Sequence, residues 1–282
     1  MTNQNFWDLL QQKRPELTKS GHIVADYLTQ HAEDAQYLSI SSLARACHVA
    51  EATIFRFCRA LGFEGYNEMK IALAQANAAP GHVVGQTLEP GTSTEALFEH
   101  AAAAFSAAVS GTRSVLNAAA IDQAASMLQR ARQVFCFGQG GSGILAREIW
   151  AKFATISSKF HTEGDSHMEL TTASLLGPED VIIFVSYSGA TRDMMTTLRT
   201  ARNNGVKVIL ITHYDDAPGT ALADVVLLCG ARESPLDAGS IPVKASVLYV
   251  AEVLVLRYSL DNQELTALSR DRVSHAMSSK LL

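Results

Sequence analysis

The sequence is short of several things that would narrow its role at once. It has four cysteines in 282 residues, Cys47, Cys58, Cys136 and Cys229, and no two of them form a CxxC pair. Each stands among apolar neighbours, which predicts buried reduced thiols rather than a disulfide framework or a metal site. Strong charge is missing as well. The net charge is −5, and charged residues make up 18% of the chain, so no overall field draws in nucleic acid. No apolar run is long enough to span a bilayer. The opening MTNQNFWDLLQQKRPEL lacks the charged-then-apolar order of a secretion signal. A Walker lysine is absent too. These absences predict a cytoplasmic protein with no membrane partner, no metal and no cofactor. What is present is apolar bulk, 48% of residues, enough for one large or two ordinary domains.

The chain has two textures. Up to about Gln75, apolar residues recur at helical spacing and no strand stands out. From Val134 onward, β-type apolar runs alternate with helical ones: VFCFG then GILAREIWAKFATI, VIIFVSYS then TRDMMTTLRTARNNG, VKVILIT then a turn, DVVLLCG then a long helical tail. That alternation predicts an α/β domain, a parallel sheet covered by helices. Between the textures lies NAAPGHVVGQTLEPGTS, whose Pro and Gly residues mark a linker. The expected division is 1–77, a linker over 78–92, and 93–282.

In the first part, SISSLARAC reads as a short helix behind a serine cap. HVAE is a tight connection, and ATIFRFCRALG is a second helix ended by Gly62. A third follows Gly65. Ile40, Leu43, Ala44, Val49, Ile54, Phe57 and Leu61 supply a small core. Helix, short turn, helix is the geometry that lays a second helix in the DNA major groove. On that helix Glu51, Thr53, Arg56 and Arg59 point outward, and arginine suits phosphates and guanine edges. A helical cap or dimerisation arm fits the same spacing. Residues 1–80 hold seven Lys or Arg against eight Asp or Glu, so the segment is not basic.

LSISSLARACHVAEATIFRFCRALGFEGYNEMKIAL resembles the N-terminal helix-turn-helix of the RpiR family of bacterial transcription regulators. The distinctive part is a Thr-Ile-x-Arg-Phe core followed by Leu-Gly-Phe, Gly-Tyr and a Lys. LTKSGHIVADYLTQHAEDA fits the family's leading helix. The resemblance implies that Ser42, Glu51, Thr53, Arg56, Arg59 and Lys70 serve operator DNA. One position departs: Ala50 stands where the family usually has Ser, which removes a hydroxyl N-cap worth about 1 kcal/mol.

Two strand-to-helix junctions carry the remaining signal. In FCFGQGGSGILAREI, Gly138, Gly140, Gly141 and Gly143 let the backbone turn sharply and approach a ligand, and Ser142 adds a hydroxyl where the helix begins. In FVSYSGATRD, Ser186, Ser188 and Thr191 surround Gly189. Helix N-termini with short hydroxyls suit an anion. If the two strands are neighbours at the topological switch point, both loops face one pocket that fits a phosphate group. A dinucleotide would want an acidic residue about twenty residues on, at the end of the next strand. Lys159 and His161 stand near there, with Glu163 just beyond.

GQGGSG followed by SYSGATRD also resembles the sugar isomerase (SIS) domain that RpiR regulators carry at their C-terminus. The resemblance covers roughly Ser93 to Leu260 and implies a five-stranded parallel sheet in flavodoxin-like order. It also implies a homo-oligomer, dimer or tetramer, and a phosphorylated sugar held by the hydroxyls of Ser142, Ser186, Ser188 and Thr191, with Gly140, Gly141 and Gly189 in the same loops. His167, Lys244 and Glu252 are the further ligand contacts it implies. Lys244 replaces a usual Arg and Val243 a usual Ser, and Pro242 is also unusual. The reading is therefore a DNA-binding regulator controlled by a phosphosugar, without catalysis. The alternative is an aldose–ketose isomerase with a helical extension, which needs a general base; Glu163, Asp165, His167, Glu169, His213, Lys244 and Glu252 are the candidates.

Overall fold

A computed structural model describes residues 5–78, 88, 91–236, 239–278 and 280. They group into two units: Met1–Ala102 with Arg232–Ser240, and Ala103–Ala231 with Ile241–Leu282. Of the linker expected over 78–92, residues 79–87 and 89–90 fall outside the described residues.

The first unit is helical, as its periodicity predicts. It contains α1 (Phe6–Lys13), α2 (Lys19–Gln30), the short α3 (Ala32–Ala35), α4 (Ile40–Ala46), α5 (Glu51–Ala60) and α6 (Tyr66–Asn77). Ser39 caps α4, its hydroxyl accepting the Ser42 N–H at 2.9 Å. After α4, His48 takes a left-handed φ of +53° while the Val49 N–H reaches back to the Ala44 carbonyl. That closure stops α4 and starts the turn into α5. Gly62, at φ +94°, ends α5 in the same way: the Phe63 N–H bonds Cys58 O and the Gly62 N–H bonds Arg59 O. Leu43, Ala44, Ile54, Phe57 and Leu61 are buried in one core with Phe6, Leu10, Leu28 and Leu73, and Ile40 and Val49 pack against it half-buried. Of the charges of RESPLDAG, which the sequence leaves unplaced, Arg232 pairs with Asp34 at 2.9 Å and lies over the Tyr37 ring.

α7 (Thr94–Val115) and α8 (Ala118–Arg130) lead toward the sheet. Asn117 caps α8 by accepting the N–H groups of Ala119 and Ala120. At its other end the Lys159 ammonium caps the carbonyls of Leu128 and Gln129 at 2.6 and 3.0 Å. Then follow β1 (Val134–Gly138), α9 (Gly141–Ala154), β2 (Phe160–Thr162), α10 (Ser166–Leu175), β3 (Val181–Val185), α11 (Arg192–Asn203), β4 (Lys207–Thr212), β5 (Val225–Leu228), α12 (Ile241–Asp261) and α13 (Gln263–Ser278). The strands are all parallel, in the order β2-β1-β3-β4-β5.

Every residue of β3 is buried, which is why VIIFV reads as an unbroken apolar run rather than an alternation. One face of the sheet packs Val134, Ile183 and Ile209 against α8, α9 and α12; the other packs Phe137, Phe184 and Leu210 against α10 and α11. β2 is the strand that apolar runs alone do not reveal. It has three residues, FHT, of which only Phe160 is buried.

All four cysteines are free and buried. Burial pushes the Cys47 thiol up to about 11 and the Cys58 thiol to about 12, and raises that of Cys136 as well.

Candidate functional site

β1 and β3 are neighbours, and the direction of strand addition reverses between them. Both glycine-hydroxyl loops therefore leave the carboxyl end of the sheet at its switch point, where open α/β sheets collect ligands. The first loop is compact. Gly140, at φ +55°, precedes the first residue of α9, and the Ser142 N–H folds back onto the Gln139 carbonyl at 3.1 Å. Ser142 is half-buried at the helix start. In the second loop the buried Ser186 hydroxyl accepts the Gly189 N–H at 3.2 Å, and the Ser188 hydroxyl accepts the Ala190 N–H at 3.4 Å. Each of these two hydroxyls accepts in these bonds and has its own proton left to donate. Thr191 precedes α11 and makes no side-chain cap. Its hydroxyl instead crosses to the first loop and donates to Gln139 Oε1 at 3.3 Å.

A cavity of about 370 Å³ opens beside the first loop, lined among others by Gln139, Gly140, Arg147, Glu163, Glu169 and Asp193. Arg147 donates to the Gly164 carbonyl at 3.3 Å. Glu163 accepts the Thr172 hydroxyl at 2.7 Å, and Asp165 caps α10 through the N–H groups of His167 and Met168. Glu169 is 2% exposed and faces inward from α10. One carboxylate oxygen accepts the Gly138 N–H at 2.8 Å, and the other accepts the Gln139 amide at 3.3 Å. Burial raises its pKa above the usual carboxylate value, and the two donors pull the other way.

The remaining residues of the expected site divide. Lys244 is half-buried and lies over the start of α9, its Cε 4.0 Å from where a Gly141 side chain would begin. His167 is exposed in the first turn of α10, beside the lining residues Asp165 and Ser166. Glu252 is not brought to the loops within this chain. It is exposed and faces Lys152 at 3.7 Å, eleven residues into α9, or roughly 16 Å along that helix. His213 stacks on Tyr187 and its Nδ1 meets the Cys229 carbonyl at 2.8 Å, a packing role. Gln139 and the holding role of Glu169 are not visible from spacing, because both depend on which strands are neighbours.

In the helical unit, Glu51, Arg56 and Arg59 are exposed on α5 and Thr53 half-exposed. Arg56 reaches back to the Thr53 hydroxyl at 3.3 Å, while Arg59 lies 5.7 Å from the Phe55 ring. Phe55 is 45% exposed on the same helix, a large apolar group that the charge pattern overlooks. Ala50 heads α5 without a side-chain cap. Ser42 is half-buried and its hydroxyl accepts from that of Ser39. The Lys70 ammonium donates to the Leu38 carbonyl at 3.2 Å, and burial lowers its pKa to about 8, so its charge is held within the unit rather than offered outward.

Two family models match this chain: the helix-turn-helix domain of the rpiR family over residues 4–80 and the SIS domain over 127–257. The transcriptional regulator HexR of Pseudomonas aeruginosa is 32% identical over 226 residues, 80% of this chain and 78% of that protein. The chain belongs to the RpiR family. It is a transcriptional regulator with a helix-turn-helix domain and an SIS domain, not an isomerase. The regulator RpiR of Escherichia coli K12 is 28% identical over 80% of this chain and 77% of its own. Among solved structures, the NanR protein of Vibrio vulnificus complexed with ManNAc-6P superposes with a TM-score of 0.86 at 24% identity, covering 97% of this chain and 99% of that one. Among the described residues, no helix is long and apolar enough to cross a membrane.

Proposed function

We propose that this regulator reads a phosphorylated sugar at the β1–β3 switch point and passes that occupancy to operator DNA. The observation that carries the reading is the Thr191–Gln139 bond, which joins the two hydroxyl loops at one place. The phosphoryl group lies between the N-termini of α9 and α11, where the helix dipoles favour an anion. It accepts hydrogen bonds from the hydroxyls of Ser142, Ser186, Ser188 and Thr191 beside Gly140, Gly141 and Gly189, and meets the charge of Lys244. Lysine provides a point charge without the paired donors of an arginine. The sugar extends into the cavity toward His167. Glu252 serves this site only from another copy of the chain.

Residues 1–77 bind the DNA, 78–92 link, and 93–282 bind the effector and hold a cytoplasmic homo-oligomer. Arg56, Arg59, Glu51 and Thr53 face the operator, with Phe55 beside them; Ser42 steadies the start of α4, and Lys70 acts from behind by bracing Leu38. The engagement of both Glu169 oxygens by the first loop suits a holding group better than the mobile base an isomerase needs.

Calorimetric titration with sugar phosphates and fluorescence anisotropy on the DNA upstream of the gene test the reading together. Ser188→Ala is expected to weaken sugar-phosphate binding roughly tenfold while leaving effector-free DNA binding intact. Arg56→Ala is expected to weaken DNA binding and to lower its salt slope by about one without touching the sugar. Turnover of any sugar phosphate, or an operator affinity unmoved by every one of them, would defeat it.

A further inference from the structure

We propose that Gln139 selects among phosphate esters: it accepts the Thr191 hydroxyl while the site is empty and offers its carbonyl to a donor on the sugar once that hydroxyl has turned to the phosphoryl group. The inference rests on the phosphosugar reading above and gives a ligand contact to a residue that reading uses only to join the two loops.

The argument follows from counting donors. An ionised carboxylate only accepts. Glu169, buried and spanning Gly138 and Gln139, therefore fixes the Gln139 side chain with its NH₂ toward the carboxylate and its Oε1 away from it. Oε1 is the atom that meets the Thr191 hydroxyl. A hydroxyl has one proton, so Thr191 has spent its own on Gln139. Ser186 and Ser188 differ, since both accept from backbone N–H groups and have protons to spare. A phosphoryl dianion offers acceptors only. To bind it, Thr191 must turn its proton away from Gln139, and this leaves the half-buried Gln139 carbonyl oxygen to water or to a donor on the ligand. Sulfate, a fully ionised oxyanion at neutral pH, has no proton to supply, whereas a phosphate ester with an O–H or N–H near the phosphoryl group has one. The same residue therefore gives a bare acceptor anion nothing and rewards the sugar.

Two substitutions remove the device by different routes. Gln139→Met keeps the length of the side chain and loses both polar atoms. Glu169→Gln presents an NH₂ where the carboxylate stood, so Gln139 turns over, gives its own NH₂ to Thr191, and frees the threonine proton without exposing an acceptor. With full-length protein, affinities are measured by titration for sulfate and for a panel of pentose, hexose and N-acetylhexosamine phosphates. Both variants are expected to lose roughly three- to tenfold on the ester that wild type binds best, the value of one or two hydrogen bonds. Their sulfate affinity stays level or rises a fewfold. A merely structural role would weaken both ligands together. A parallel fall in both, or no fall in either, overturns the proposal. Gln139→Ala replaces Gln139→Met if that protein does not melt cooperatively. Wild-type protein that binds no sugar phosphate at all would sink the functional reading itself, an outcome distinct from the parallel fall.

Discussion

The two loops that meet at the switch point are built by opposite means. The first is shaped by its own backbone. A side chain at Gly138 would begin 2.6 Å from the Ser142 carbonyl oxygen, and one at Gly143 would begin 2.7 Å from that of Gly138. The second is shaped by what stands behind it. A side chain at Gly189 would meet Ala217 Cβ at 2.6 Å and Thr212 Oγ1 at 2.9 Å, both beyond the loop itself. The Gly219 N–H also pins the Gly189 carbonyl at 2.8 Å. The first loop is rigid because its parts touch each other, and the second because the exit of β4 holds it. Sites that look alike in sequence, glycines and hydroxyls before a helix, therefore fail differently when altered.

The largest effect tests that contrast. Gly143→Ala drives a methyl into a backbone carbonyl, which no side-chain movement relieves. It should cost about 3 kcal/mol, at the upper end of overpacking, and abolish measurable sugar-phosphate binding. Gly189→Ala should cost a similar amount, from a φ of +58° and from Ala217 together. Adding Ala217→Gly should restore about half of the Gly189→Ala loss in a thermal melt and none of the Gly143→Ala loss. Equal rescue, or no rescue of either, would erase the distinction.

Next in size is Glu169, the outside support of the first loop. Glu169→Ala strands the Gly138 N–H and should cost about 1–3 kcal/mol. The sign of its pH dependence is fixed by the raised pKa. The folded protein holds the Glu169 proton to higher pH than the unfolded chain, whose value is near 4.5. Stability from this group is therefore lost as pH rises from 4.5 through the folded pKa, then levels off. Melts of wild type and Glu169→Gln across that range should show wild type losing ground as pH rises. A gain in its place would mean the carboxylate is better solvated than its burial indicates.

The smallest effect is at His48, which shares the left-handed backbone of Gly189, φ +53° against +58°, without being a glycine. Here His48→Gly should stabilise the helical unit by up to about 1 kcal/mol, because the strain of the side chain is relieved at the cost of glycine's freedom when unfolded. A loss on denaturant unfolding would mean the imidazole contributes more than its exposure suggests.

Most of the architecture was legible from periodicity. VIIFV and VILIT could hardly be anything but central strands, and Ser39 and Gly62 mark helix ends where helix ends occur. The three-residue β2 was not legible, since one buried phenylalanine between two polar residues has no period. The loops read as loops, and their convergence is expected if their strands are neighbours, but the bond between them is not legible. That Thr191 reaches Gln139 depends on β1 lying beside β3, and residues 52 apart in the chain give no local hint of it. The bond from Lys70 to the Leu38 carbonyl, 32 residues away, is hidden in the sequence for a related reason. Glu252 reads as a pocket residue by resemblance and points elsewhere within one chain.

The four thiols offer a practical consequence. Cys47 and Cys58 lie in the helical unit, Cys136 and Cys229 in the sheet unit, and all four are shut away from solvent. A labelling reagent reaches them only when the surrounding region opens. Native protein therefore carries a matched pair of opening reporters in each half. Peptide-resolved trapping rates with and without a sugar phosphate would show which half breathes less when the effector arrives, with no engineered probe.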